Sequence, residues 1–400
     1  MREEGGKRLY SATDLVNYLG CSHASFNDLR QLTAPVALPA DDEHAKLLQE
    51  KGIEHERSFL SRLKTEGLNV VEVSDKGALD TRVAATRAAM EAGADVVYQG
   101  ALLNWPWHGY SDFLLRVNGV ASRFGNYAYD VADTKLARTA KPKHVIQLCV
   151  YADLLGVAQG VEPPQMHVVL GDGNQISLRT ADVRHYYGVA QQRFVAFVGA
   201  PPATSLAEPC GHFTFCRWAK TCEAVWDESD HLSLVANVDR GQIDKLRAGG
   251  ITTMHQLAAM SATARIPNMQ AGVLSRLRSQ AALQVARRDT GKNQHEMLPP
   301  SAGRGFDRLP KPDPGDLFFD MEGDPLYEMG LEYLFGTVHY DKGREQFTAF
   351  WAHNRADEKK AFENTIDFMA ARLKAYPGAH IYHYASYEQS HLSQRVKSLS

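Results

Sequence analysis

Residues 129–155, YDVADTKLARTAKPKHVIQLCVYADLL, place three polar side chains where packing asks for aliphatic ones. Asp133 and Lys135 sit two apart in an apolar run that reads as a buried strand, and Gln147 interrupts an equally apolar helix. Strand residues i and i+2 leave from the same face, so the acid and the lysine enter one cleft while Ala132 and Thr134 face the other way. Upstream, GYSDFLL puts Asp112 on a neighbouring strand candidate. Carboxylates from adjacent strands can share a divalent cation, because hard ions such as Mg2+ take oxygen ligands and retain waters. A lysine beside that ion stabilises charge developing on a phosphoryl oxygen or helps orient the attacking water. On the following helix Gln147 and Tyr151 are spaced i,i+4 and lean over the same cleft, whereas Cys149 points to the core. Just past the lysine, Arg138, Lys141 and Lys143 form a local basic patch suited to phosphate. An isolated Asp-x-Lys is more often a surface ion pair; its coincidence with Asp112 and the helical Gln-x3-Tyr is what points to a site.

GYSDFLL, YDVADTKLA and QLCVY resemble the motifs of RecB-family nucleases of the PD-(D/E)XK class, a likeness that covers roughly residues 8–230. KGIEHERSFL supplies a counterpart of that family's histidine-bearing N-terminal helix through His55 and Glu56. The resemblance implies a metal-dependent phosphodiesterase acting on DNA, single-stranded or with free ends, in repair or recombination. It implies that His55 or Glu56, with Asp112 and Asp133, binds Mg2+ or Mn2+, that Lys135 is catalytic, and that Gln147 and Tyr151 close the site. Which of His55 and Glu56 faces the cleft stays open, since adjacent helical positions diverge by about 100°.

Five cysteines are unevenly placed: Cys21 early, Cys149 in the apolar helix, and Cys210, Cys216 and Cys222 bunched. Some members of the same nuclease family staple their ends with a 4Fe-4S iron–sulfur cluster, using one early and three late cysteines. Cys21, Cys216 and Cys222 match that pattern, but the remaining position holds Phe213, with Cys210 offset by three residues and His212 adjacent. Either Cys210 completes four thiolates, or His212 ligates, or the cluster is lost; zinc with Cys3His ligation is an alternative, and reduced thiols without metal another.

The elements that must position these residues follow from periodicity. SATDLVNYL and residues 43–66 read as helices, LNVVEVS as a strand, and TRVAATRAAMEAG as a further helix. ADVVYQGALL, GYSDFLLRV and YDVADTKLA are β-like runs, followed by a helix over 143–155 and the strand QMHVVLG. That order is an α/β domain with a mixed central sheet, restriction-endonuclease-like if the resemblance holds, over residues 1–230. Residues 231–288 read as a small helical segment in which AGGITT looks like a helix-hairpin-helix turn able to offer N–H groups to phosphate. Residues 289–315 are rich in proline and glycine and read as a linker.

A β-rich segment, 316–400, opens with DLFFDMEGDP, where Asp320 and Glu322 again stand i and i+2 among apolar neighbours. With HYASYE and Glu388 the segment resembles RNase H-like exonucleases of the DEDD type, in the YprB-like branch, where such acids hold two divalent ions. At 85 residues it is short for that fold and has no counterpart of the family's last acidic motif. The expectation is a fragment of a longer protein, whose relatives sometimes continue into a helicase, giving a helicase domain or subunit as an expected partner.

The bulk composition excludes little. A net charge of −3 with 23% charged residues carries no global basic signature, so nucleic-acid contact must rest on local patches. No signal peptide stands at the N-terminus and the longest apolar run is too short to span a bilayer, so a cytoplasmic protein without membrane contact is expected. The leading expectation is a metal-dependent DNA nuclease. The competing ones are a 3′–5′ exonuclease working through the C-terminal half and a non-catalytic nucleic-acid-binding scaffold.

Overall fold

The computed structural model describes the 400-residue chain except residues 41, 328, 385 and 400 and the side chains from 394 onward. The chain divides into two units, Met1–Glu296 and Met297–Ser400.

In the first unit a hairpin, β1 (Arg2–Glu4) and β2 (Lys7–Leu9), precedes α1 (Ala12–Gly20), α2 (Ser22–Thr33) and α3 (Glu43–Thr65). There follow β3 (Val70–Glu72), α4 (Leu79–Glu91), β4 (Val96–Asn104), β5 (Trp107–Ser122), β6 (Gly125–Lys135), α5 (Pro142–Gln159), β7 (Gln165–Leu170), β8 (Gln175–Arg179) and α6 (Thr180–Gly199). Strands β3 to β8 form one mixed sheet in chain order, parallel at β3–β4 and β6–β7 and antiparallel elsewhere.

Both faces of that sheet are covered, which is why its strands read as nearly continuous apolar runs. Helix α3 starts where Asp42 accepts from the Ala45 N–H at 2.8 Å and ends where Gly67 takes φ +83°. Its stripe of Phe59, Leu60 and Leu63 packs on Val96, Phe113, Ala132 and Val169. Each such buried side chain stabilises the fold by about 1.5–3 kcal/mol. Helix α5 opens with Pro142 in its first turn and closes at Gly160, φ +79°. It lies in the core cluster of the opposite face, with Val97, Leu114, Val131 and Val168. Cys149 is buried in that core, as its helical position requires.

Helices α7 (Ala219–Glu228), α8 (Arg240–Ala248), α9 (Met254–Ala258) and α10 (Ala271–Thr290) complete the unit around a separate small core that includes Leu246, Leu257 and Leu277. Arg247 ties this helical part to the preceding segment through Glu208, 2.7 Å away. The α8–α9 turn does not offer free donors. The N–H groups of Gly249, Gly250 and Ile251 bond back to α8 carbonyls, and that of Thr252 donates to Gln256 Oε1 at 2.7 Å. The phosphate cradle expected from AGGITT is therefore filled by the protein's own acceptors.

The second unit pairs β9 (Leu317–Asp324), β10 (Leu331–Asp341), β11 (Arg344–Trp351) and β12 (Ile381–Tyr382) in the order β11-β10-β9-β12, with only β9–β12 parallel. Between β11 and β12 lies α11 (Arg355–Ala375), and α12 (Tyr387–Leu399) follows. Within this β-rich segment α11 forms because Ala361, Phe362, Thr365 and Met369 recur at helical spacing behind an Asn354 cap. Among the described residues no helix is long and apolar enough to cross a membrane.

Candidate active site

Strands β5 and β6 pair as far as Phe113 opposite Ala132 and stop one position short of Asp112 and Asp133. Beyond that point β5 stays paired with β4 down to Trp107, and β6 with β7 as far as Lys135. The sheet thus forks, and the fork carries the polar residues singled out in the sequence. The Thr134 N–H points into the gap and donates to Asp112 Oδ2 at 2.8 Å, joined by the Thr134 hydroxyl at 2.9 Å. Thr134 therefore takes part in the site, although strand alternation alone assigns it to the other face.

Asp133 is only 1% exposed and forms an ion pair with the Lys135 ammonium. Oδ2 makes that contact and takes no other partner among the described residues. Burial and the charge of Asp133 push the Asp112 carboxyl up to about 8, against the opposing pull of Lys135 and the Thr134 N–H. A hydrogen bond between the two carboxyls contributes to the rise.

Helix α3 resolves the choice between its neighbouring residues. The Glu56 carboxyl is raised by burial and by the charge of Asp112, and it is favoured in its ionised form by Tyr98, Gln99 and Lys135. Gln99 Nε2 donates to Glu56 Oε1 at 2.5 Å. His55 instead places Nε2 3.4 Å from the Val169 carbonyl of β7. Glu56 is thus the α3 residue that shares the electrostatics of the fork, while His55 leans on the neighbouring strand.

Gln99 was not anticipated. It stands at the position of β4 opposite Asp112, where the β4–β5 ladder skips one pair, and its φ is +55°. A left-handed backbone at a residue other than glycine costs about 1–2 kcal/mol, a strain that clusters at functional sites. The signal in the sequence was a lone amide before glycine in an apolar run, VVYQGALL.

The lid over the fork comes from α5. Gln147 Nε2 donates to the Tyr151 hydroxyl at 3.0 Å. Burial and the charges of Asp133 and Asp112 push the Tyr151 phenol well above its ordinary range, so it stays protonated and able to donate. Its ring lies over Gly109 of β5, where a Cβ would come within 2.7 Å of ring carbons. Beside it, a cavity of about 270 Å3 is lined by Thr13, Val16, Lys135, Lys143, His144 and Gln147. Burial, then Lys135 and Lys143, hold the His144 imidazole down to about 4, so it is neutral at physiological pH. Arg138 and Lys141 are exposed on the segment between β6 and α5, next to this opening.

The cysteines also converge. Cys21, Cys210, Cys216 and Cys222 line one small pocket with Phe213 and Trp218, and all are free thiols. Burial first, then proximity to Cys210, raises the Cys21 thiol, and burial with the three neighbouring cysteines pushes Cys222 up to about 11. Such crowding of thiols is relieved when a cation takes them as thiolates. His212 is not part of the pocket; its ring lies against Gly20, where a Cβ would meet it at 2.7 Å. Phe213 packs on Trp226 with ring centroids 4.9 Å apart, and Cys210 lines the pocket with the other three cysteines.

In the second unit Asp320 and Glu322 lie on the exposed face of β9, while Leu317, Phe319 and Met321 fill its buried face. Glu388, at the start of α12, is 4% exposed and 3.3 Å from His383 Nδ1, and its Oε2 accepts no hydrogen bond.

Among the described residues no group of three or more His, Cys, Asp or Glu side chains is set at metal-holding geometry. By donor chemistry the fork nonetheless fits a divalent cation. It offers a buried Asp133 carboxylate oxygen balanced by the Lys135 ammonium and a second carboxyl held up by burial and by its neighbour's charge. No curated protein matches the chain. Residues 317–400 match the family model described as the RNase H superfamily, which supports a nuclease-type fold for that stretch.

Proposed function

We propose that the first unit is a restriction-endonuclease-like, RecB-type nuclease that hydrolyses DNA phosphodiesters at the fork between β5 and β6. The observation that carries this reading is the convergence of Asp112, Asp133, Lys135 and Glu56 where the sheet opens. Asp112, Asp133 and Glu56 would hold Mg2+ or Mn2+; when bound, such an ion lowers the pKa of a water and offsets charge on the phosphoryl group. Lys135, paired with Asp133, would oppose with its ammonium the charge that builds on the non-bridging oxygen. Tyr151, kept protonated and oriented by Gln147, donates from the opposite wall. Arg138, Lys141 and Lys143 hold the flanking phosphates.

The four converging cysteines favour a 4Fe-4S cluster over Cys3His zinc, because His212 lies outside their pocket. Single-stranded or free-ended DNA as substrate, a role in repair or recombination and a helicase partner are extensions from the family resemblance. A second reading is supported by the RNase H superfamily match, which allows the C-terminal acids to act as a 3′–5′ exonuclease.

The test is Mn2+-dependent cleavage of an end-labelled single-stranded oligonucleotide. Asp133→Ala and Lys135→Ala are each expected to slow it by at least about 100-fold, the scale of losing one charge-stabilising group. Undiminished cleavage in both variants, with loss in Asp320→Ala, would transfer the activity to the second unit.

A further inference from the structure

Phe215 is 77% exposed, although it closes a short helical turn whose neighbour Phe213 is anchored on Trp226 beside the cysteine pocket. An exposed aromatic ring of that size has an energetic incentive to be covered. The Lys143 ammonium lies 4.8 Å from its ring centroid. Lys143 in turn lines the cavity that holds Lys135, His144 and Gln147, beside the fork. An exposed aromatic ring, a cation above it and a basic opening leading to buried carboxylates therefore stand in one row.

We propose that Phe215 is a base-stacking residue: one nucleobase of a single strand lies on its ring while the adjoining phosphate is taken by Lys143 and directed toward the fork. Stacking on an aromatic ring is tolerant of base identity, because every base has a π-face, and a neighbouring cation adds to it. The chain carrying Phe215 is fixed at its base by the Phe213–Trp226 contact and by Cys216 in the pocket, so the ring is presented from a held turn rather than from a free loop. Phe215 thereby sets where along a strand the scissile phosphate sits. This inference rests on the nucleic-acid reading of the fork.

The experiment places a single 2-aminopurine at successive positions of a single-stranded oligonucleotide and measures its fluorescence with the full chain in Ca2+, which supports binding without turnover in many nucleases of this chemistry. Quenching is expected at one position, or two adjacent ones, with the wild type. It should be lost in Phe215→Ala and kept in Phe215→Tyr, with affinity falling roughly 5- to 150-fold in the alanine variant. A role confined to steadying Lys143 would weaken binding in Phe215→Ala without any position-specific quenching in the wild type, and that result overturns the proposal. Tight binding with the same quenching profile in Phe215→Ala overturns it too. Absence of any binding by the wild type would instead remove the nucleic-acid reading itself, so the two failures are told apart. Circular dichroism confirms that Phe215→Ala, a surface change, retains the fold.

Discussion

Replacing Asp112 by asparagine should stabilise the metal-free protein, and increasingly so as pH rises. In the folded chain the carboxyl titrates near 8, against about 3.9 in an unfolded one, so between these values the folded state holds a proton that the unfolded state has released. Stability therefore falls as pH rises through that window, by about 1.36 kcal/mol per unit from this group alone. Asparagine keeps the geometry: its Oδ1 can still accept from the Thr134 N–H and hydroxyl, and its amide can donate toward Asp133. It removes the titration. Between pH 5 and pH 7 the advantage of Asp112→Asn over the wild type should therefore grow by about 2–3 kcal/mol, or several degrees in melting temperature for a unit of this size. Paired thermal melts in EDTA at the two pH values measure it, and comparing variant with wild type cancels other titrating groups. A pH-independent difference, or a variant that is less stable at pH 7, would refute the claim that the two carboxyls crowd each other in the fork.

Further outcomes follow from the same geometry. Gly109→Ala drives a methyl into the Tyr151 ring and should lower stability by about 1–3 kcal/mol in denaturant titrations, with cleavage impaired beyond the loss of fold. Gln99→Gly relieves the left-handed backbone but releases Glu56, so the melting temperature should hold or rise while Mn2+ affinity drops. Cys210→Ser should remove bound iron in anaerobically purified protein, seen as loss of absorbance near 400 nm, whereas His212→Ala should leave it; absence of that band from the wild type with zinc bound would instead favour Cys3His.

Much of the first site was legible because both faces of the sheet are buried. In strands that are apolar throughout, Asp112, Asp133 and Lys135 stand out, and i, i+2 alternation places the last two together. Gln147 and Tyr151 were legible for the matching helical reason. What strand and helix periods do not carry is an interruption of them. The fork turns Thr134 toward Asp112, and the positive φ of Gln99 aims its amide at Glu56; neither is encoded by a period. Adjacent residues on a helix were likewise beyond reach, so only packing separates Glu56 from His55. The cysteines posed a different difficulty. Spacing made Cys210 look displaced, and the turn at residues 213–215 is what returns it to the other three sulfurs.

The central claim is that the forked sheet binds a divalent cation through Asp112 and Asp133. Calorimetric titration of Mn2+ into the metal-free protein at pH 7, in two buffers of different ionisation enthalpy, tests it most directly. The account predicts a site that releases close to one proton on binding, because the Asp112 carboxyl must ionise, and that disappears in Asp133→Asn while persisting in Asp320→Ala. Mn2+ binding unchanged by Asp133→Asn, or a site at the fork with no proton release, would contradict it.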